Sequence, residues 1–501
     1  MSSLPRNAEL EPFAVVEATI EDIHAAFKTG RLTARQLVEQ YLARIELYDQ
    51  RGPALNAIIS LNPEALADAD RLDAALMSGA FVGPLHGIPL LIKDQVDVNG
   101  MATTLGSVLF QDYRPQRDSF VIKKVKDAGA IILGKVTLGE LGGGDTHGSL
   151  FGSTKNVYDL ERTAGGSSGG SGASVSANFC TASIGQEGFA SIRRPSTWNG
   201  IVGMRPSAGL VSRTGAFGGW PALNGSLGPM ARTVTDLAKL LDCMVGYDPD
   251  DPATAYGFDK KPASYAANLS KTSLAGARIG ILREPMGFGV APDSEDFKKV
   301  DAVFSAAVDD LRKAGAEIVD PVVIPNLNAL LKTRARSTEE DDAGYEHYIK
   351  GTNAPFPTRA AALASPLFEK VGPQSKDRWR GASTVEQQLA QSKARTTLMT
   401  NLMNVMAEHR LDAIVHKAVE QQPTLIKDGI SPPFVDQRGA PFINTFLMFV
   451  PSIVVPAGFT TDNLPAGITF LGRPYSDARM IELAYAYEQA TMHRRAPTST
   501  P

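Results

Sequence analysis

Gly165-Gly166-Ser167-Ser168-Gly169-Gly170-Ser171-Gly172-Ala173 has the composition of a flexible linker. Its surroundings do not. Asn156-Val157-Tyr158-Asp159-Leu160 precedes it, and Val175, Ile184 and Ile192 punctuate the residues after it. A second glycine-bearing segment comes next, Gly185-Gln186-Glu187-Gly188-Phe189-Ala190-Ser191-Ile192-Arg193. Upstream, a lone lysine ends an apolar run, Gly87-Ile88-Pro89-Leu90-Leu91-Ile92-Lys93-Asp94. An isolated lysine is most often a solvated surface charge. Placed after Leu90-Leu91-Ile92, this one sits at the end of a buried strand. The three segments supply two serines and a lysine, with glycine wherever backbone must come close. That is the equipment for serine-based acyl transfer without histidine. The glycine-rich run lacks the Gly-Lys-Ser/Thr ending of a phosphate-binding loop.

The combination resembles the amidase signature family. Its members carry a Gly-(Ile/Val)-Pro…(Ile/Val)-Lys-Asp segment, a Gly-Gly-Ser-Ser-Gly-Gly-Ser core and a later Gly-Ser-Ile-Arg segment. The matches here are Lys93-Asp94, Gly165 to Ser171, and Ser191-Ile192-Arg193. Phe151-Gly152-Ser153-Thr154-Lys155-Asn156, Gly200 to Pro206, Gly228 to Val234 and Pro465 to Pro474 also match. The resemblance runs from about residue 20 to about residue 490 and is weakest between 325 and 440. It implies Ser191 as nucleophile, Ser167 as proton relay and Lys93 as base. It also implies a cis peptide bond before Ser167 and an oxyanion hole from the N–H groups of Gly188, Phe189, Ala190 and Ser191. Leu141 and Gly142 belong to the segment that supplies the family's substrate cleft. Ser168, Glu187 and Arg193 read as supports, with Glu187 expected to pair with Arg193 or to cap serine hydroxyls.

One departure stands out. The family places Asp, a residue, then Gly-Gly before the nucleophile, where this chain has Glu187-Gly188-Phe189-Ala190. Glu187 keeps the charge, one methylene longer. Phe189 and Ala190 keep their N–H groups but lose glycine's freedom at positive φ. The change bears on the geometry of the hole and on pocket shape, and argues for a divergent branch.

The 501 residues exceed a usual single core. The matches span nearly the whole length, so one large α/β domain is expected. Short apolar strand candidates are Pro89–Ile92, Ile131–Leu133, Ile279–Leu282, Ile414–Val415, Ile453–Val455 and Ile468–Leu471. Helical stretches separate them, which predicts a mixed, mostly parallel β-sheet covered by helices on both faces. Thr33-Ala34-Arg35-Gln36 reads as a capping box opening a helix through Leu37, Val38, Tyr41, Leu42, Ile45 and Tyr48. A second helix is expected over Pro63–Met77. The chain divides into an N-terminal helical segment (1–80), the signature core (81–325), a helical insertion flanking the pocket (326–407) and a C-terminal part of the core (408–501). Glu339-Glu340-Asp341-Asp342 reads as a solvated face rather than a metal site, and Ala496–Pro501 as a frayed tail.

Composition narrows the partners. A net charge of −4 gives no basic surface for nucleic acid. No segment is apolar and long enough for a membrane span, and the N-terminus lacks a signal-peptide core. Cys180 and Cys243 make no disulfide framework, which suits the cytoplasm. No metal-ligand spacing appears among the seven histidines, and no cofactor is expected. The partner is a small-molecule amide or carbamate, with a homodimer compatible. Phe217 and Trp220, in a glycine-flanked loop, join Phe189 as candidate substrate-binding aromatics. The expected activity is hydrolysis of small, partly apolar amides, with carbamates (urethanes) and esters as close variants. Alternatives are a glutaminase-type subunit of a tRNA-dependent amidotransferase and a non-catalytic binding protein on the same fold. A Ser/His/Asp site using His147 is the competing mechanism.

Overall fold

The computed structural model describes residues 13–218, 225–435 and 437–501. Eleven strands among them join one sheet. In chain order they are β1 (Ile58–Leu61), β2 (Pro89–Lys93), β3 (Ile131–Val136), β4 (Ala182–Glu187), β5 (Val202–Arg205) and β6 (Ser226–Ala231). The rest are β7 (Arg278–Leu282), β8 (Glu317–Val322), β9 (Ala413–Lys417), β10 (Ser452–Phe459) and β11 (Pro465–Leu471). Across the sheet they run β1-β3-β2-β4-β6-β5-β10-β11-β9-β7-β8.

Connection length sets strand direction. Helices Phe120–Asp127, Gly169–Ser176 and Glu295–Lys313 bridge β2 to β3, β3 to β4 and β7 to β8. These crossovers give the two parallel runs, β3-β2-β4 and β9-β7-β8. The middle of the sheet, from β4 through β6, β5, β10 and β11 to β9, is paired antiparallel, as is β1 on β3. The short β10–β11 connection permits no other pairing. Every residue of β2, β3, β4, β5, β6, β9 and β11 is buried, so these strands show no polar alternation. One helix group, Gly169–Ser176 with Arg193–Trp198, packs on the strands around the serines. Another, Val234–Met244, Glu295–Lys313 and Asp477–Thr491, packs on the sheet elsewhere.

The N-terminal helices follow the sequence closely. Thr33 and Gln36 form the capping box of helix Ala34–Ile45, which buries Leu37, Val38, Tyr41 and Ile45. The next helix is Ala65–Met77. Residues 327–408 form five α-helices: Leu327–Leu331, Thr338–Ile349, Arg359–Leu363, Pro373–Arg380 and Val385–Glu408.

Two expectations are corrected. The acidic run is not a uniform solvated face. It forms the first turn of helix Thr338–Ile349 and is divided by the helical twist. Asp341 turns into a cavity, while Asp342 accepts from Arg359 at 2.7 Å. The C-terminal residues are also held rather than frayed. Arg44 donates to the carbonyl oxygens of Thr500 (2.7 Å) and Pro501 (2.8 Å), and Ser499 Oγ donates to Val157 O (2.6 Å). No helix among the described residues is long and apolar enough to cross a membrane.

Candidate active site

Lys93 ends β2, and the parallel register sets Ile92 beside Ile184 of β4. The carboxyl ends of β2 and β4 therefore open at the same rim, the usual place for chemistry in open α/β sheets. Ser167 lies in the turn leading to helix Gly169–Ser176, and Ser191 lies between β4 and helix Arg193–Trp198. Lys93 Nζ donates to Ser167 Oγ at 2.7 Å and reaches Gln186 O at 3.3 Å. The Gly166–Ser167 peptide bond is cis. Gly165 adopts φ 81°, and a side chain at Gly166 would come within 2.3 Å of Gly144 O. Glycine is required at both positions, by conformation at one and by space at the other.

Lys93 is fully buried. Burial pushes its ammonium well below the ordinary lysine range, and the Glu187 charge opposes this more weakly. Asp94 does not restore the charge. It accepts from Lys135 Nζ at 2.9 Å and from Thr104 N at 2.9 Å, so its charge is matched away from Lys93. The result is an amine that can sit neutral, hydrogen-bonded to a serine hydroxyl.

The loop before Ser191 is fixed from below. Glu187 pairs with Arg193 Nε at 2.7 Å, with both side chains wholly buried. Its other oxygen accepts from the N–H groups of Ile192 and Arg193, each at 2.9 Å, and it caps no serine hydroxyl. Arg193 also donates to Phe189 O at 2.8 Å. Ser168 Oγ donates to Gln186 O at 3.2 Å and accepts from Gln186 N at 3.3 Å, tying the serine turn to β4. Phe189 and Ala190 both stay outside the positive-φ region, so this loop makes no demand for glycine there. No described residue accepts from the N–H groups of Gly188, Phe189, Ala190 or Ser191. Removing Glu187 would strand the Arg193 charge. Glu187→Gln is expected to destabilise the protein by about 3 kcal/mol. Urea unfolding reads this directly, and an unchanged midpoint would show that the pair is dispensable.

Ser191 is half-buried and opens on a cavity of about 180 Å³. Leu141, Gly142, Phe189 and Phe217 all line it. Trp220 lies outside the described residues. Sequence reasoning missed the rest of the wall. Phe288, Tyr345 and Trp379 add aromatic surface, with the Phe217 and Trp379 rings stacked 6.3 Å apart. Arg334, Arg336 and Arg378 add charge to what was expected to be an apolar pocket. Arg194 was missed as well. It donates to Gly166 O at 2.9 and 3.0 Å and pairs with Asp145 at 2.8 Å, anchoring the residue before Ser167. Only its place beside Arg193 could have drawn attention to it.

His147 is not brought to Ser191. It lines a neighbouring cavity of about 40 Å³ that does not include Ser191, and its Nδ1 is 2.7 Å from Ser153 Oγ. Burial lowers its pKa, a pull that Glu140 partly offsets. The Ser/His/Asp alternative therefore has no geometry here. Among the described residues no group of three or more His, Cys, Asp or Glu is placed to hold a metal ion.

Comparison with known proteins shows the family. A family model described as Amidase matches residues 36–481. A probable amidase of Arabidopsis thaliana is 32% identical over 514 residues, covering 97% of this chain and 92% of that protein. A glutamyl-tRNA(Gln) amidotransferase subunit of Gloeobacter violaceus is 33% identical over 496 residues, with 96% and 98% covered. The crystal structure of native peptide amidase from Stenotrophomonas maltophilia superposes with a TM-score of 0.85 at 33% identity, covering 98% of this chain and 100% of that one.

Proposed function

Since the chain belongs to the amidase signature family of serine hydrolases acting on C–N bonds, we propose that it cleaves small, partly apolar amides through an acyl-enzyme on Ser191. The observation that carries this reading is the buried 2.7 Å contact between Lys93 and Ser167, at the rim where Ser191 meets the cavity. Ser191 attacks the carbonyl, and the N–H donors of residues 188–191 hold the oxyanion. Ser191's proton passes to Ser167, whose own proton goes to neutral Lys93. The same relay then returns a proton to the leaving nitrogen, which departs as an amine. Water repeats the sequence on the acyl-enzyme. Carbamates present the same carbonyl and the same type of leaving group, so they belong to the proposed range, as do esters.

The test is turnover by the isolated chain on a neutral anilide, alongside labelling of Ser191 by a fluorophosphonate. Hydrolysis with labelling at Ser191 supports the proposal. Labelling without turnover favours an amidotransferase-type subunit, the reading supported by the similarity to the Gloeobacter protein. Neither labelling nor turnover would favour a binding protein on this fold. The Lys93–Ser167 mechanism needs no metal, so activity is expected to survive exhaustive chelation. Loss with EDTA, reversed by zinc or manganese, would overturn it.

A further inference from the structure

Phe288 borders two spaces. Among the described residues, only Phe288 and Arg334 line both the Ser191 cavity, of about 180 Å³, and a larger groove of about 650 Å³. Met286, Val290, Leu331 and Phe442 wall that groove, so it is largely apolar. The Phe288 ring meets the ring of Phe189, two residues from Ser191, edge-on with centroids 6.4 Å apart. Phe288 is 46% exposed, so packing alone does not fix it. Its backbone is held instead. β7 and β9 are parallel neighbours, and the loops leaving them meet. Past β9, Glu420 is buried, and its two carboxylate oxygens accept from Met286 N and Gly287 N, each at 2.9 Å. Its own N–H donates to Gly439 O at 2.7 Å. Gly439 N donates to Phe288 O at 2.7 Å, and Phe288 N donates to Ala440 O at 3.0 Å. A side chain at Gly287 would come within 2.7 Å of Glu420 Oε2 and of the Gly439 backbone. Burying a carboxylate is costly unless it is well bonded. Glu420 makes no ion pair among the described residues, and Lys417 pairs with Asp301 at 2.7 Å instead. Burial holds Glu420 up at about 7, although the two N–H groups and then Lys417 pull the other way. Both of its oxygens therefore serve one loop, the loop that carries Phe288.

We propose that Phe288 is a specificity-determining residue whose ring closes the Ser191 cavity off from the groove, and that Glu420 is the positioning residue that holds it there. The ring limits the apolar group a substrate carries, so compact amides are preferred over long-chain ones. This rests on the hydrolase reading above and specifies the size of its substrates. Without the ring, cavity and groove become one space, and Met286, Val290, Leu331 and Phe442 supply added apolar wall. Each methylene buried there then adds affinity. Without the Glu420 carboxylate, the N–H groups of Met286 and Gly287 lose their acceptors, and the ring loses its fixed seat.

Binding tests this without turnover. Ser191→Ala protein is titrated calorimetrically with acetanilide, with octananilide (longer on the acyl side) and with 4-hexylacetanilide (longer on the amine side). Neither long probe is expected to bind more than about tenfold tighter than acetanilide. Adding Phe288→Ala should raise the affinity of at least one long probe, relative to acetanilide, by about tenfold or more. Adding Glu420→Gln, which keeps one acceptor oxygen, should move the same ratio the same way by about threefold. It should add nothing once Phe288 is alanine. Gly287→Ala should act as Glu420→Gln does, and it carries the comparison if thermal unfolding shows that Glu420→Gln does not fold. A merely structural role for Glu420 would lower the thermal midpoint and leave the ratio alone. A long probe that already binds far tighter with Phe288 in place, ratios unchanged by Phe288→Ala, or no binding of any probe at millimolar concentration would overturn the proposal. A ratio indifferent to Glu420→Gln and Gly287→Ala, or loss of folding in both, would remove the positioning role of Glu420. Failure of the hydrolase reading appears elsewhere, as absent turnover of the neutral anilide by the wild-type chain.

Discussion

Ser191→Ala is expected to lower kcat/KM for an anilide by about 10⁴-fold or more, with the fold intact. Ser191 lines the cavity and is tied through its carbonyl to Ser168, the neighbour of the Ser167 that Lys93 contacts. In the proposed mechanism its hydroxyl makes the bond to carbon, so its loss should remove the acyl-enzyme route altogether. The structural cost is small, because the fixed contact of Ser191 is made by its main chain: its carbonyl accepts from Ser168 N at 3.1 Å. Circular dichroism and a thermal midpoint close to wild type show that folding is retained, and fluorophosphonate labelling should vanish. A folded variant that still hydrolyses the anilide at near-normal rate would remove Ser191 from the mechanism.

Lys93→Met is expected to cost about 10³-fold on the amide. Methionine keeps most of the buried volume, so a loss of this size reports the amine rather than a cavity. The pH profile adds a second readout. In the proposed mechanism the base is neutral Lys93, so activity should fall as pH drops through its pKa and rise as pH climbs. Burial depresses that pKa, so the plateau is reached below the ordinary lysine range. In Lys93→Met the rise should flatten, while His147→Ala should retain it. An activated aryl ester should lose less than the amide, since an aryloxide leaves without a proton. A pH rise that persists without Lys93 and disappears without His147 would reverse the assignment.

The legible parts of this molecule are those where local chemistry dictates structure. The glycine–serine spacing and the lysine closing an apolar run marked the positions that the fold brings to one rim. The expected strands fall within β2, β3, β7, β9, β10 and β11, which are aliphatic-rich. The central strands were hidden. β4 reads Ala-Ser-Ile-Gly-Gln-Glu, and β6 reads Ser-Leu-Gly-Pro-Met-Ala. Neither has strand propensity or alternation, because neighbouring strands and full burial impose their conformation. The pocket arginines were hidden for another reason. Arg334, Arg336 and Arg378 line the same cavity as Phe189 only through the packing of the helical segment onto the loops, and no local pattern encodes that packing. Asp341 was misjudged likewise, since an acidic run carries no sign of which member turns inward.

The backbone at Phe189 and Ala190 leaves these two positions open to redesign. Neither residue demands glycine, so the side chains there can be exchanged without reshaping the N–H donors. Phe189 also carries Arg334 on one flank and stacks on Phe442 at 5.4 Å. A smaller residue at 189 would enlarge the cavity at Ser191 and remove the ring over which Arg334 lies. The loop thus couples the volume of the cavity to the seating of a neighbouring side chain, so one substitution at 189 changes both.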